Sequence, residues 1–227
     1  MTPGCYPDIS LAAYHAAPGL SKSDLDLIAR SPAHWKYGPR EETAAMRLGA
    51  AVHAAVLEPE QWERRYAGAT NRRRPDPDAN ADAVTLTAAE WETCQRIRDA
   101  VWNHPTCRDL FSAGYAEQSA WWFDPETGLL CKCRPDWSRP GLLLDLKTAT
   151  DASPAGFARA VERYRYHVQA AYALDGWPQA GGNAADQFLF IVVEKAPPYA
   201  IGLYELSSTL LDTARTRYRH DLATAAD

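Results

Sequence analysis

The sequence predicts an α/β fold, a central mixed β-sheet flanked by helices. Two observations carry this. The first half of the chain repeats apolar residues at helical spacing between good caps, whereas the middle switches to short apolar and aromatic runs separated by turn sequences. The order that results is helices, three central strands, helices, two strands and a closing helix, which is the order of a sheet covered by helices. A single domain is expected over 1–227. Its helical N-terminal part (about 1–110) would pack on a sheet core (about 111–206), and a C-terminal helix would follow.

Each element has a local reason. Ser21 followed by Asp24 is a helix N-cap with an acid in the first turn, and Pro32 stops that helix. A longer helix is predicted from Glu41 to Leu57, before Pro59, with Met46, Ala50, His53 and Leu57 on one face. Thr87 and Glu90 form a capping box for a helix reaching Asn103. Strands are predicted at Tyr115–Phe123 and Leu129–Trp137 around the turn sequence DPETG, and at Leu142–Lys147 after SRPG. Ser153, with Pro154 at the first helical position, opens the next helix. Helical pattern resumes over Tyr164–Leu174 and ends at Gly176. Phe188–Val193 and Ala200–Leu206 are strands around Pro197–Pro198, and Ser208–Leu222 is an amphipathic closing helix.

Composition excludes several classes. The 227 residues are 46% hydrophobic and 23% charged, which rules out wholesale disorder. The formal charge is −5, so the chain is no generic basic coat for nucleic acid; DNA would have to be met by a local basic channel or through metal ions. The one dense basic cluster is Arg72, Arg73 and Arg74, which reads equally as a DNA path and as a solvated loop. Five scattered cysteines make no disulfide scaffold and suit a reducing compartment, so a cytoplasmic location is expected. The N-terminus lacks the basic and apolar regions of a signal peptide. The longest apolar run, Phe188–Val193, is too short for a bilayer, so no membrane partner is expected.

The informative stretch is KCRPDWSRPGLLLDLKTATDAS. Side chains alternate along a strand, so Asp145 and Lys147 share a face while Leu146 points away. Asp136 ends the preceding strand, and the intervening turn can bring its carboxylate close to that of Asp145. Two carboxylates preceded by apolar residues need compensation, and a divalent cation supplies it most simply. Lys147 would then sit within reach of the metal and of a phosphate. The same residues also fit a surface ion pair with Asp136 as a turn residue, and spacing does not separate the two readings. Upstream, Gly49 and His53 lie four apart on one helical face; His53 fits a core position, or a ligand if the small residues let its helix close on the sheet edge. Downstream, Gln169 and Tyr172 lie three apart and face together, as a phosphate contact or as caps on a buried carboxylate.

The ordered set GLSKSDL, RLGAAVHAAVLEP, RPDW, DLKTATDAS and YHVQAAYALDG resembles the RecE-type (exonuclease VIII) nucleases of the PD-(D/E)xK superfamily, over about residues 19–206. The resemblance implies a restriction-endonuclease-like core and magnesium- or manganese-dependent hydrolysis of linear duplex DNA, 5′-to-3′. It implies a metal held by His53, Asp136, Asp145 and the main-chain carbonyl of Leu146, with Lys147 orienting the attacking water and Gln169 positioning Lys147 or a phosphate. Glu117 is placed as an outer-shell acid or an arginine partner. Relatives carry glutamine–x–x–x–tyrosine, whereas Ala173 stands fourth here, so Tyr172 or Tyr166 takes the substrate-contacting role, with Arg72–Arg74 along the path. A ring-shaped homo-oligomer and a RecT-type single-strand annealing partner are implied as well. A non-catalytic DNA-binding or assembly protein, and a PD-(D/E)xK endonuclease, are the competing expectations.

Overall fold

Well-made caps start the helices of the first half. The computed structural model describes residues 1–39, 43–68 and 83–227. Its elements begin β1 (Gly4–Tyr6), α1 (Leu11–Ala16), α2 (Lys22–Arg30), α3 (Pro32–Tyr37), α4 (Ala44–Leu57), α5 (Pro59–Arg65), β2 (Tyr66–Gly68), β3 (Val84–Leu86), α6 (Ala88–Asn103) and α7 (Pro105–Leu110). At α2 the Asp24 carboxylate accepts the Ser21 N–H at 2.9 Å. At α6 the Thr87 N–H donates to Glu90 at 2.9 Å and the Glu90 N–H to the Thr87 hydroxyl at 3.2 Å. These bonds satisfy donors that a helix leaves open at its start. Thr43 caps α4, and the expected start at Glu41 lies outside the described residues.

The second half continues as β4 (Tyr115–Ala116), β5 (Ser119–Phe123), β6 (Leu130–Cys133), β7 (Trp137–Arg139), β8 (Gly141–Ala149), α8 (Pro154–Arg163), α9 (Tyr166–Gln179), β9 (Ala185–Glu194), β10 (Ile201–Glu205) and α10 (Ser208–Ala226). The main sheet has five strands in the order β10-β9-β8-β7-β4, with β8 and β9 parallel and the other pairs antiparallel. It is the predicted mixed sheet flanked by helices. A second sheet, β1-β5-β6, is antiparallel, and β2 pairs with β3.

Two segments predicted as continuous strands are each broken and shared between sheets. Tyr115–Phe123 splits at Glu117, whose φ of 52° is left-handed and cannot continue a strand. Leu129–Trp137 splits at Pro135–Asp136, where proline lacks the N–H a ladder needs. On one side of the breaks β5 and β6 pair in the three-stranded sheet; on the other, β4 and β7 pair in the main sheet. The Glu117 N–H donates to the Asp136 carbonyl at 2.9 Å, so the two breaks are joined.

The main sheet is buried on both faces. Leu143, Phe188, Phe190 and Val192 pack with Phe157, Val168, Ala171 and Leu222 beneath α8, α9 and α10. Leu144, Leu146, Ile191 and Val193 face the other way, against Val52, Val56, Ile97 and Val101 of α4 and α6. Each fully buried residue of this size contributes about 1.5–3 kcal/mol. Among the described residues no helix is long and apolar enough to cross a membrane.

Helix α9 runs through Gly176 instead of ending there. The glycine is a packing device: a Cβ at this position would come within 2.1 Å of Trp122 Cζ2. Gly176→Ala should therefore destabilise the protein by about 1–3 kcal/mol, because overpacking exceeds the gain in helix propensity. Urea titration should show a lower midpoint at an unchanged slope.

Candidate active site

The joined strand breaks face α4. Asp136 Oδ1 lies 3.3 Å from His53 Nδ1, and Glu117 Oε1 lies 3.8 Å from the same nitrogen. One donor atom from each of His53, Glu117 and Asp136 falls within 4.8 Å of the others, a spacing that could hold a metal ion. The other ring nitrogen fixes the tautomer. A carbonyl can only accept, so His53 Nε2–H donates to the Leu146 carbonyl at 2.8 Å and Nδ1 is left facing the carboxylates. Asp136 Oδ2 accepts the Leu146 N–H at 2.6 Å. Arg134 Nε donates to Glu117 Oε2 at 2.7 Å, and its guanidinium also bonds Ser119 Oγ and the Ile9 carbonyl. Arg134, the first residue of RPDW, is thus the arginine that pairs with Glu117.

Asp145 and Lys147 share the β8 face turned toward α9, as alternation requires, and Leu146 is buried on the opposite face. Gln169 Nε2 donates to Asp145 Oδ1. Lys147 Nζ lies 2.8 Å from Asp145 Oδ2, an ion pair. Lys147 Nζ also sits 4.6 Å above the Tyr166 ring, a cation–π contact. All these groups border one open cleft of about 880 Å³, which Lys22, Glu58 and Arg65 also line.

Electrostatics follow from this crowding. Burial, and then the neighbouring Asp145 charge, push Asp136 up to about 6. Burial works against a charged His53, yet Asp136 and Glu117 outweigh it and hold the imidazolium well above the usual histidine range. Burial likewise opposes the Lys147 charge, and Asp145, with Tyr166 and Asp136 behind it, more than restores it. Glu117 is buried too, but His53 and Arg134 bring its carboxyl below the ordinary value.

The structure brings His53, Asp136, Asp145, Lys147, Gln169, Tyr166 and the Leu146 backbone together. It departs from expectation in three places. Glu117 stands in the inner group with His53 and Asp136 as well as pairing with an arginine, because its left-handed turn carries it to the Asp136 break. The Leu146 carbonyl, expected as a ligand, commits one lone pair to His53. Tyr172 is a core residue: it is 2% exposed, its ring packs on Trp122 and Tyr218, and its hydroxyl donates to the Leu20 carbonyl at 2.7 Å. That hydroxyl is already used, and Tyr166 is the tyrosine at Lys147. Arg72, Arg73 and Arg74 lie outside the described residues.

A mixed sheet whose strand break supplies an aspartate, and whose next strand supplies Asp145 and Lys147, defines a PD-(D/E)xK-like domain of the nuclease superfamily. Residues 18–227 match the PDDEXK-like domain of unknown function (DUF3799), and the chain belongs to that family. The crystal structure of a "Putative exonuclease" from Eubacterium rectale is similar at a TM-score of 0.69 and 15% identity, covering 96% of this chain and 86% of that one. A phage related exonuclease from Haemophilus somnus 129PT aligns at a TM-score of 0.42 and 10% identity, over 94% of this chain and 96% of that one. At such identity the first likeness is one of fold. No curated protein matches the chain.

The donor set fits a divalent cation: two carboxylates and one imidazole converge, with donor atoms within 4.8 Å of one another. Such an ion must displace the His53 proton, since His53 binds metal only when neutral. Binding should therefore release a proton near neutral pH, and affinity should rise with pH until His53 is deprotonated without metal. Below about pH 6 protonation of Asp136 should weaken it further. Calorimetric titration with manganese in buffers of different ionisation enthalpy measures the release, from which His53→Gln should remove the imidazolium's share and leave that of Asp136.

Proposed function

We propose that this chain is a metal-dependent deoxyribonuclease, an exonuclease of the RecE type that degrades linear duplex DNA from its 5′ ends. The observation that carries the reading is the placement of Lys147. Its ammonium sits 2.8 Å from Asp145, in the cleft that also holds Asp136, His53 and Glu117. A surface ion pair needs none of that company. The name exonuclease on the similar Eubacterium rectale structure supports the same class.

His53, Glu117, Asp136 and Asp145 would hold magnesium or manganese, which when bound lowers the pKa of a water and offsets phosphate charge. The chain's own groups do the rest. Asp145 raises the Lys147 pKa against its burial, which suits a hydrogen-bond donor and a charge. Lys147 can orient a water toward phosphorus and meet the negative charge that grows on the phosphate oxygens. Gln169 holds Asp145 from behind, and Tyr166 limits where the Lys147 head can go. Arg134 keeps the Glu117 carboxylate turned to the site. A homo-oligomeric ring and a RecT-type annealing partner belong to the same proposal and rest on the sequence resemblance.

The test is digestion of an end-labelled linear duplex with magnesium, beside a covalently closed circle. Loss of label from 5′ ends with the circle intact is expected. Nicking of the circle would point to an endonuclease, and metal binding without cleavage to a non-catalytic DNA-binding protein. Lys147→Arg should lower single-turnover cleavage by about 10²-fold, equivalent to about 3 kcal/mol, while metal affinity stays at the parental value. Parental cleavage by this variant would return Lys147 to the role of a surface charge.

A further inference from the structure

Helices α8 and α9 are joined by two residues, Tyr164 and Arg165, and the turn is strained. Arg165 is left-handed at φ 53°, a conformation that a non-glycine residue keeps only where its neighbours impose it. They do so here. The Arg165 guanidinium donates to the Leu25 carbonyl at 3.0 Å, to Asp26 at 3.2 Å and to Asp221 at 2.5 Å. Lys22, which lines the cleft, donates to the Tyr164 carbonyl at 2.5 Å. The turn brings Tyr164 and Tyr166 together, with ring centres 5.6 Å apart and planes 28° from parallel.

Tyr164 is the exposed end of an aromatic stack. The buried rings of Phe190 and Phe157 also stack on Tyr166, at 26° and 27° from parallel, whereas Tyr164 is 48% exposed. The bonds that hold the turn come from the Arg165 side chain and the Tyr164 main chain, so none of them calls for a ring at position 164. Charge is a second, independent observation. The Arg163 guanidinium lies 5.3 Å over the Tyr164 ring and forms no ion pair among the described residues. The Lys147 ammonium lies 4.6 Å over the Tyr166 ring. Two stacked rings with a cation over each, one of them the lysine of the site, suit a planar group joined to phosphate.

We propose that Tyr164 is the platform on which one base of the strand being cut stacks, beside the nucleotide whose phosphate meets Lys147. This rests on the nuclease reading above and extends the binding surface from the cleft onto the α8–α9 turn. A single ring, that of Tyr166, separates the Lys147 ammonium from Tyr164, a gap that adjacent nucleotides of one strand span. Every base has a π-face, so the platform holds the strand without reading its sequence. The strained turn fixes the ring relative to Lys147, and a stacked base would therefore set which phosphate reaches the ammonium.

A cycle between the ring and the base tests it. The probe is a fluorescent phosphorothioate duplex with magnesium, read by anisotropy, in which abasic sites replace the terminal bases of one strand one at a time. With the parent, one position should cost about tenfold in affinity, the size of one lost stack. Tyr164→Ala should bind the complete duplex about tenfold more weakly, and the abasic site at that position should then cost nothing further. Tyr164→Phe should behave as the parent, and calorimetric manganese affinity should be parental in both variants. Parental DNA affinity in Tyr164→Ala would overturn the inference while leaving the nuclease reading intact. An abasic cost that is the same in Tyr164→Ala as in the parent would also overturn it, since ring and base would then act independently. Equal losses in Tyr164→Phe and Tyr164→Ala would do so too, by assigning the contact to the hydroxyl. A parent that neither binds nor cuts DNA would remove both readings.

Discussion

The site depends on how the backbone of Leu146 is satisfied. Strand β7 begins at Trp137, opposite Leu144, so beyond that pair β8 has no neighbouring strand on one side. On its other side it stays paired with β9 through Ala149. A buried strand cannot leave its N–H and C=O groups unpaired, at about 1–3 kcal/mol for each. Here the Asp136 carboxylate accepts the Leu146 N–H and His53 Nε2–H donates to the Leu146 carbonyl. Side chains of the site thus stand in for the missing strand. The bonds that complete the sheet also orient the carboxylate and the imidazole, so removing Asp136 damages fold and chemistry together.

The strand breaks explain why these residues meet. At Pro135–Asp136 one strand leaves the three-stranded sheet for the main sheet, and at Glu117 its antiparallel partner crosses the other way. Each break exposes an acid at the parting of the sheets. Glu117 is held there in a left-handed conformation that costs a non-glycine residue about 1–3 kcal/mol. The Asp136 carbonyl, the Arg134 guanidinium and the His53 ring fix it in place. Strain that neighbours over-determine in this way is characteristic of functional positions.

Much of this was legible in the sequence. The alternation that put Asp145 and Lys147 on one face needed only the strand period, and the Asp136–Asp145 approach needed only a short turn. The caps of α2 and α6 were readable because their bonds are local. What was not legible depended on distant partners. Gly176 reads as a helix stop until the Trp122 indole above it is known. Tyr172 shares the helical spacing of Gln169, yet three helical residues turn by about 300°, enough to send its hydroxyl into the core at Leu20. Glu117 joined the inner group through a backbone turn that no propensity signals, and Arg134 acts through it.

The charges show how one site can be stable alone and still be built for a cation. Without metal, the His53 imidazolium offsets Asp136 and Glu117, Arg134 neutralises the far oxygen of Glu117, and Lys147 faces Asp145. Each carboxylate therefore has a positive partner, which lets three acids crowd a small volume without unfolding it. The partners differ in how firmly they are held. Asp145 holds Lys147 charged, whereas the His53 ring can exchange its Nδ1 proton for a metal ion, against the two acids that favour the imidazolium. The position at Nδ1, between Asp136 and Glu117, is thus where a proton and a metal ion compete. The imidazole that a metal ion can take lies between Asp136 and Glu117, with the Arg134 guanidinium on the far side of Glu117 and the Lys147 ammonium at Asp145.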